Sequence, residues 1–259
     1  MWRWFKWVLL GIGILAILGV AISFLKPREK NDESAGKPAQ FIQADFIDLE
    51  KIVAISKFRS GSGHDFSQET DETCRSMKHY YNVQNSAEGE RLRSQNNGLP
   101  PAPDGKTDIK IYSPVDGRIT SIQSEKMPIG EQIYIKPNDA PDYTIRLFHI
   151  YKLGGIKDGS AVKAGEQIGN IGQYQNTDIA IEGRRGFNSQ FISYFEVMPD
   201  AIFAKYLARG VKNRDELIIT KAYRDAHPLE CNGERFAQNY DSDPNSGNMV
   251  YLSGYNSGY

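Results

Sequence analysis

Residues 159–172 read GSAVKAGEQIGNIG. Val162, Ile168 and Ile171 are spaced apolar points, and Gly159, Gly165, Gly169 and Gly172 punctuate them. β-branched residues between glycine turns predict a tight β-arch. Upstream, from Ile109, the segments IKIYSPV, DGRITSI, QIYIKP and YTIRLFHI follow one another with turns between them. Their period-two alternation and β-branched content predict strands. The arch and these strands make the fold mainly β, of sandwich or barrel type.

The flanks differ. Residues 7–25, WVLLGIGILAILGVAISFL, carry no charge. At ~1.5 Å per residue such a helix spans about 28 Å, close to a hydrocarbon core, so one N-terminal transmembrane helix is expected. Trp2, Trp4 and Trp7 gather at its start, where indoles favour the interface. Residues 1–6 form a flank, and 26–40, KPREKNDESAGKPAQ, read as a linker. The β domain is expected over 41–198, with an insertion at about 67–107 that includes a long loop around NNGLPPAPDG. A helical extension is expected over 199–231, with Asp200 and Asn213 as N-caps and Gly210 as a stop. Residues 232–259, rich in Asn, Ser, Gly and Tyr, read as mostly disordered.

The 259 residues carry a formal net charge of −1, which leaves no basic footprint for a nucleic-acid partner. The two cysteines, Cys74 and Cys231, are compatible either with one long-range disulfide in an oxidising compartment or with two buried thiols.

Three segments in order carry a family resemblance: SGSGHDF (60–66); SPVDGRITSI (113–122) through TIRLFHIYKL (144–153) to the glycine arch; and TDIAIE (177–182). Over roughly 58–182 the chain resembles the lysostaphin/LytM-type zinc metallopeptidases, the duplicated hybrid motif proteins that cut cell-wall peptides. Lipoyl and biotinyl carriers share a glycine arch, but the one lysine within it, Lys163, lacks a carrier context. The resemblance implies one zinc, with ligands from His-x-Gly-x-Asp and from a later His-x-His strand. Here the aspartate is Asp65, but the histidine position is Gly61; the His-x-His positions are Asp178 and Ala180. His149 matches a catalytic histidine, so of the family's site Asp65 and His149 remain.

The resemblance therefore implies a peptidase-like domain without its zinc chemistry, with Asp65 the one metal ligand if a site survives. Such a domain would bind peptidoglycan or a partner hydrolase, and a β domain outside the cytoplasm is expected. Two alternatives stand beside it. One is an active endopeptidase in which Asp65, Asp178, Glu182 and His149 face one groove and hold zinc or another divalent metal. The other is a structural subunit of a membrane complex. Strand alternation turns His64 away from Asp65, unless a bulge at Gly61 or Gly63 rotates it into the groove. Arg184, Arg185 and Tyr174 are candidate groove or pairing residues. A second polar cluster holds His64, Asp65, Cys74, Arg75, Lys78 and His79, and a third Arg224, Asp225 and His227. A Cys74 thiolate nucleophile and a structural network are both readings of the second cluster.

Overall fold

The computed structural model describes residues 38–254 apart from 69, 85, 126–128, 186–187 and 241–246, with backbone alone at 184, 185 and 188. The expected membrane span, 7–25, lies outside them; among the described residues no helix is long and apolar enough to cross a membrane.

The strands are β1 (Ile52–Ser56), β2 (His79–Val83), β3 (Ile109–Tyr112), β4 (Gly117–Ser124), β5 (Glu131–Pro137), β6 (Tyr143–Lys152), β7 (Ala161–Val162), β8 (Gln167–Ile171), β9 (Thr177–Arg185), β10 (Asn188–Ile192), β11 (Cys231–Asn232), β12 (Arg235–Phe236) and β13 (Met249–Tyr251). Among the described residues three α-helices join them: α1 (Ala87–Gln95), α2 (Asp200–Ala208) and α3 (Lys221–Ala226). The main sheet runs β13-β1-β2-β9-β6-β5-β4-β7, with β10 on β9 and β3 reaching β6 through β8. Every pairing between these strands is antiparallel.

Period-two alternation builds the core. Ile145 and Leu147 of β6 and Ile179 and Ile181 of β9 are fully buried in the main cluster. Each such side chain contributes about 1.5–3 kcal/mol by leaving water. The opposite face carries a second cluster of Phe58, Met77, Phe148, Ala180 and Phe191.

Three boundaries depart from the sequence reading. The insertion at about 67–107 contains β2, a strand of the main sheet between β1 and β9, and α1, whose N-cap Ser86 accepts from the Gly89 amide. The segment NRDELIITKAYRDA does not form one helix. Asn213 caps a single 3-10 turn, Arg214–Leu217, and Thr220 caps α3. Between them Ile219 donates to the Phe58 carbonyl at 3.0 Å, an extended pairing that suits β-branched residues. The tail from Asn232 is partly ordered: β13 pairs with β1, and Val250 and Leu252 are buried. Gly210 does follow α2, at φ +90°; Asp200 is the first helical residue and Pro199 precedes it.

Candidate functional site

Because Ile179 and Ile181 face the core, Asp178 and Ala180 face the other way. Across the ladder, Asp178 sits opposite Tyr80 of β2 and Phe148 of β6. Strand β6 is bulged here. Ile133 pairs Leu147 and Glu131 pairs Ile150, so β6 spends one extra residue. His149 takes φ +63° within that bulge. A non-glycine residue in the left-handed region costs roughly 1–2 kcal/mol. The bulge brings His149 to the face that Phe148 already occupies. The buried Gln175 amide secures it by donating to the His149 carbonyl and, at 3.2 Å, to that of Ile129.

His149 uses both ring nitrogens. Nδ1 donates to the Glu125 carboxylate, and Nε2 lies 3.2 Å from Asp178 Oδ1. Burial alone would lower the His149 pKa. The Asp178 charge and the bonds to both carboxylates overcome burial and carry it to about 9.

The other oxygen of Asp178 meets a lysine. Lys78 Nζ, immediately before β2, is 2.5 Å from Asp178 Oδ2, with side-chain exposures of 3% and 0%. The ammonium lies 4.2 Å from the Phe148 ring centroid, 4.6 Å from Phe66 and 4.9 Å from Tyr80. These are cation–π distances. Burial opposes both charges, but each stabilises the other. The Lys78 pKa is raised, and Asp178 is held well below the usual carboxylate range by Lys78 and His149.

His64 closes the ring of contacts. Gly63 turns the chain at φ +71°, where a Cβ would lie 2.2 Å from the Tyr80 ring. The turn rotates His64 into the groove, which strict alternation does not allow. Its Nε2 stands 3.3 Å from Lys78 Nζ, and its Nδ1 stands 2.8 Å from the Asp65 carbonyl. A carbonyl only accepts, so Nδ1 carries the proton and Nε2 the lone pair. Burial and then the Lys78 charge lower the His64 pKa. A pocket of about 440 Å³ opens beside this cluster, lined by Tyr80, Asn82, Pro100, His149, Gln175 and Asn176 among others.

Asp65 is placed differently from the reading above. Its Oδ1 accepts from Ser67 Oγ at 2.5 Å and from the Arg75 amide at 3.1 Å, which ties a loop together. Glu182 is also outside the cluster: it lies 4.0 Å from Arg146 and lines a separate pocket with Lys136 and Asp142. Tyr174 lies against Gly89 of α1, and its carbonyl accepts from Arg93. The side chains of Arg184 and Arg185 are outside the described residues.

The remaining polar clusters form a brace. Cys74 and Cys231 are disulfide-bonded, which removes the thiolate reading. Around them Arg75 pairs with Glu72 at 2.7 Å and with Asp225 at 2.9 Å, and Arg59 also holds Glu72. Arg224 donates to the carbonyls of Arg59 and His227. His227 is exposed, its Nδ1 2.9 Å from the Tyr223 carbonyl. His79 is a core residue between the Ser56 carbonyl and Ser193 Oγ, both at 2.8 Å; burial pushes its pKa down to about 4.

The segments that carry the motifs, at 60–66, 144–153 and 177–182, thus converge on one pocket through Ser62 and Gly63, His149, and Asp178, with His64 behind it on Lys78. The chain resembles the lysostaphin/LytM-type peptidases. Among solved structures it is similar to lysostaphin, at 20% identity over 32% of this chain and 38% of that one, with a TM-score of 0.25. It is similar to the catalytic domain of the prophage-encoded M23 protein EnpA from Enterococcus faecalis, at 16% identity over 53% and 93%, TM-score 0.30. A third likeness is to a chain of the SpoIIQ–SpoIIIAH pore forming complex, at 12% identity over 65% and 98%, TM-score 0.38. No family model matches the chain, and no curated protein matches it.

A lysostaphin/LytM-type zinc site needs about three donors and an open position. The residues present do not fit it. Gly61 stands at the first position of the His-x-Gly-x-Asp pattern, Asp178 and Ala180 stand at the two His-x-His positions, the Asp65 Oδ1 is already bonded within its loop, and an ammonium lies against Asp178. Among the described residues no group of three His, Cys, Asp or Glu side chains is arranged to hold a metal.

Sequence reasoning missed three members of the cluster in this role. The sequence cluster places Lys78 with His64 but not with Asp178, and its aromatic flanks in SMKHYY are the one hint of burial. Glu125 and Gln175 lie just beyond strands and carry no local signal.

Proposed function

We propose that this chain is a binding module built on a peptidase-like β domain, anchored in a membrane by residues 7–25 and working outside the cytoplasm. It holds a cell-wall peptide or glycan, or docks a partner hydrolase, without hydrolysing it. The observation that carries this reading is the Lys78–Asp178 pair, 2.5 Å apart and buried. A fixed ammonium neutralises the carboxylate and stands against it where a Lewis acid would have to bind. The pocket beside it, about 440 Å³ with Tyr80, Asn82 and Asn176 on its walls, offers a stacking surface and amides of the kind that orient a polar ligand. The Cys74–Cys231 bond suits an oxidising compartment.

The test uses the full chain in detergent, supplied with zinc and manganese and purified without chelator. The expected result is no stoichiometric metal by mass spectrometry, together with retention on peptidoglycan that falls in Asn176→Ala. Near-stoichiometric metal, lost in Asp178→Ala, would instead favour a rearranged endopeptidase. Neither metal nor peptidoglycan binding would leave the structural-subunit reading.

A further inference from the structure

Lys78 and Asp178 are held by adjacent paired strands, Lys78 just before β2 and Asp178 within β9, where Tyr80 pairs with Asp178. Neither side chain has freedom to leave. The nitrogen stands 2.5 Å from one carboxylate oxygen, both groups are buried, and Phe66, Tyr80 and Phe148 surround the nitrogen. Two further groups bracket the pair. The His64 Nε2 lone pair faces Lys78 Nζ at 3.3 Å, and His149 Nε2 faces Asp178 Oδ1 at 3.2 Å. The nucleophile thus has a base and the electrophile an acid, and Glu125 orients the acid through Nδ1.

We propose that Lys78 and Asp178 condense into a side-chain amide, an intramolecular isopeptide cross-link between β2 and β9. In apolar surroundings an ammonium–carboxylate pair carries a large desolvation cost that a neutral amide does not. Fixed proximity supplies much of what a condensation otherwise lacks. The protons balance within the cluster. One ammonium proton passes to His64 Nε2 and frees the amine lone pair. His149 Nε2 gives its proton to Asp178 Oδ1. The amine attacks Asp178 Cγ, and the C–N bond forms as the carbonyl pair moves to Oδ2. A second proton leaves nitrogen for Oδ1, the Cγ–Oδ1 bond breaks, and Oδ1 departs as water while the carbonyl reforms. The proton on His64 returns to His149. Ammonium plus carboxylate give amide plus one water, and no oxidant, reductant or other reactant enters. The ion pair described above is the precursor of this bond; the neutral amide would occupy the same position and still deny Asp178 to a metal, whatever the neighbouring pocket binds.

Intact mass decides it. The full chain, fully reduced and alkylated under denaturing conditions, is expected to weigh one water less than its sequence plus two cysteine alkyl groups. A digest is expected to contain one branched peptide joining positions 78 and 178. Lys78→Arg and Asp178→Ala should each restore the full mass, and His64→Gln and His149→Gln should slow the loss of water after refolding. The wild-type measurement needs no variant to fold; for the variants, circular dichroism and Cys74–Cys231 formation report folding. A wild-type chain at full mass overturns the proposal. So does water loss mapped elsewhere, for example to Asp104–Gly105 or Asp116–Gly117, where aspartate–glycine pairs cyclise.

Discussion

Lys78 meets Asp178 from one side at 2.5 Å while His149 meets its other oxygen at 3.2 Å, so one buried carboxylate serves two cations. Removing the carboxylate strands both. Asp178→Ala is expected to destabilise the fold by about 3–5 kcal/mol, the usual cost of leaving a buried charge without its partner. Adding Lys78→Met removes the stranded ammonium, so the double variant should be the more stable of the two. Urea denaturation of the three chains measures this, and purely additive losses would contradict it.

Between about pH 4 and 6.5 the slope from buried His79 should be largely offset by a buried carboxylate, leaving the smaller slope of His64, whose pKa burial and Lys78 also lower. His79 titrates near 4 in the fold against 6.5 free, so its contribution is complete above about 6.5 and is lost as pH falls toward 4. Asp45, buried beneath Tyr194 and Tyr206, is pushed up from 3.8 to about 6; its contribution is complete below 3.8 and is lost as pH rises through 6. Each amounts to about 3 kcal/mol, with opposite sign over nearly the same window. Asp45→Asn removes one limb. From pH 6.5 to 4 the denaturation midpoints of that variant should fall more steeply than those of the wild type, and equal slopes would contradict the assignment.

The disulfide spans 157 residues and ties the loop before β2 to β11, after α3. Loop-closure reasoning for so long a loop gives about 5 kcal/mol, against the roughly 2–4 kcal/mol that disulfides typically contribute. Cys74→Ser, or reduction of the wild type, should lower the denaturation midpoint accordingly. An unchanged midpoint would mean that the Arg75–Asp225 and Arg59–Glu72 pairs hold the brace alone.

Putting the family's ligands back should not recreate a zinc site. A side chain at Gly61 would meet the Tyr240 ring at 2.8 Å, and the Lys78 ammonium would still lie on Asp178. Gly61→His with Ala180→His is therefore expected to bind no stoichiometric zinc by mass spectrometry, and chelator should leave the wild-type Tm unchanged. Stoichiometric zinc in the double variant would show that Tyr240 and Lys78 yield readily.

The strands from Ile109 to Ile171 were legible because one buried face imposes period two, and glycine marks the turns. The β2 strand was not. HYYNV is five residues long and follows a charged run, and its place between β1 and β9 depends on partners distant in sequence. The β13 strand was hidden for the same reason: Met249–Tyr251 reads as part of a polar tail until β1 supplies its ladder.

The sequence by itself determined the β class, the glycine arch, the missing histidines at Gly61, Asp178 and Ala180, and the shared face of Asp178 and Ala180. Each of these is a property of residue type or of local spacing. Tertiary structure alone decided what surrounds Asp178. Lys78 reaches Asp178 because β2 and β9 are neighbours. His149 joins them through a bulge, and His64 through a left-handed turn at Gly63. Asp65, the ligand-like residue that the motif preserved, instead binds its own loop. Those outcomes depend on strand order and on backbone torsions at single residues, which residue spacing along the chain does not encode.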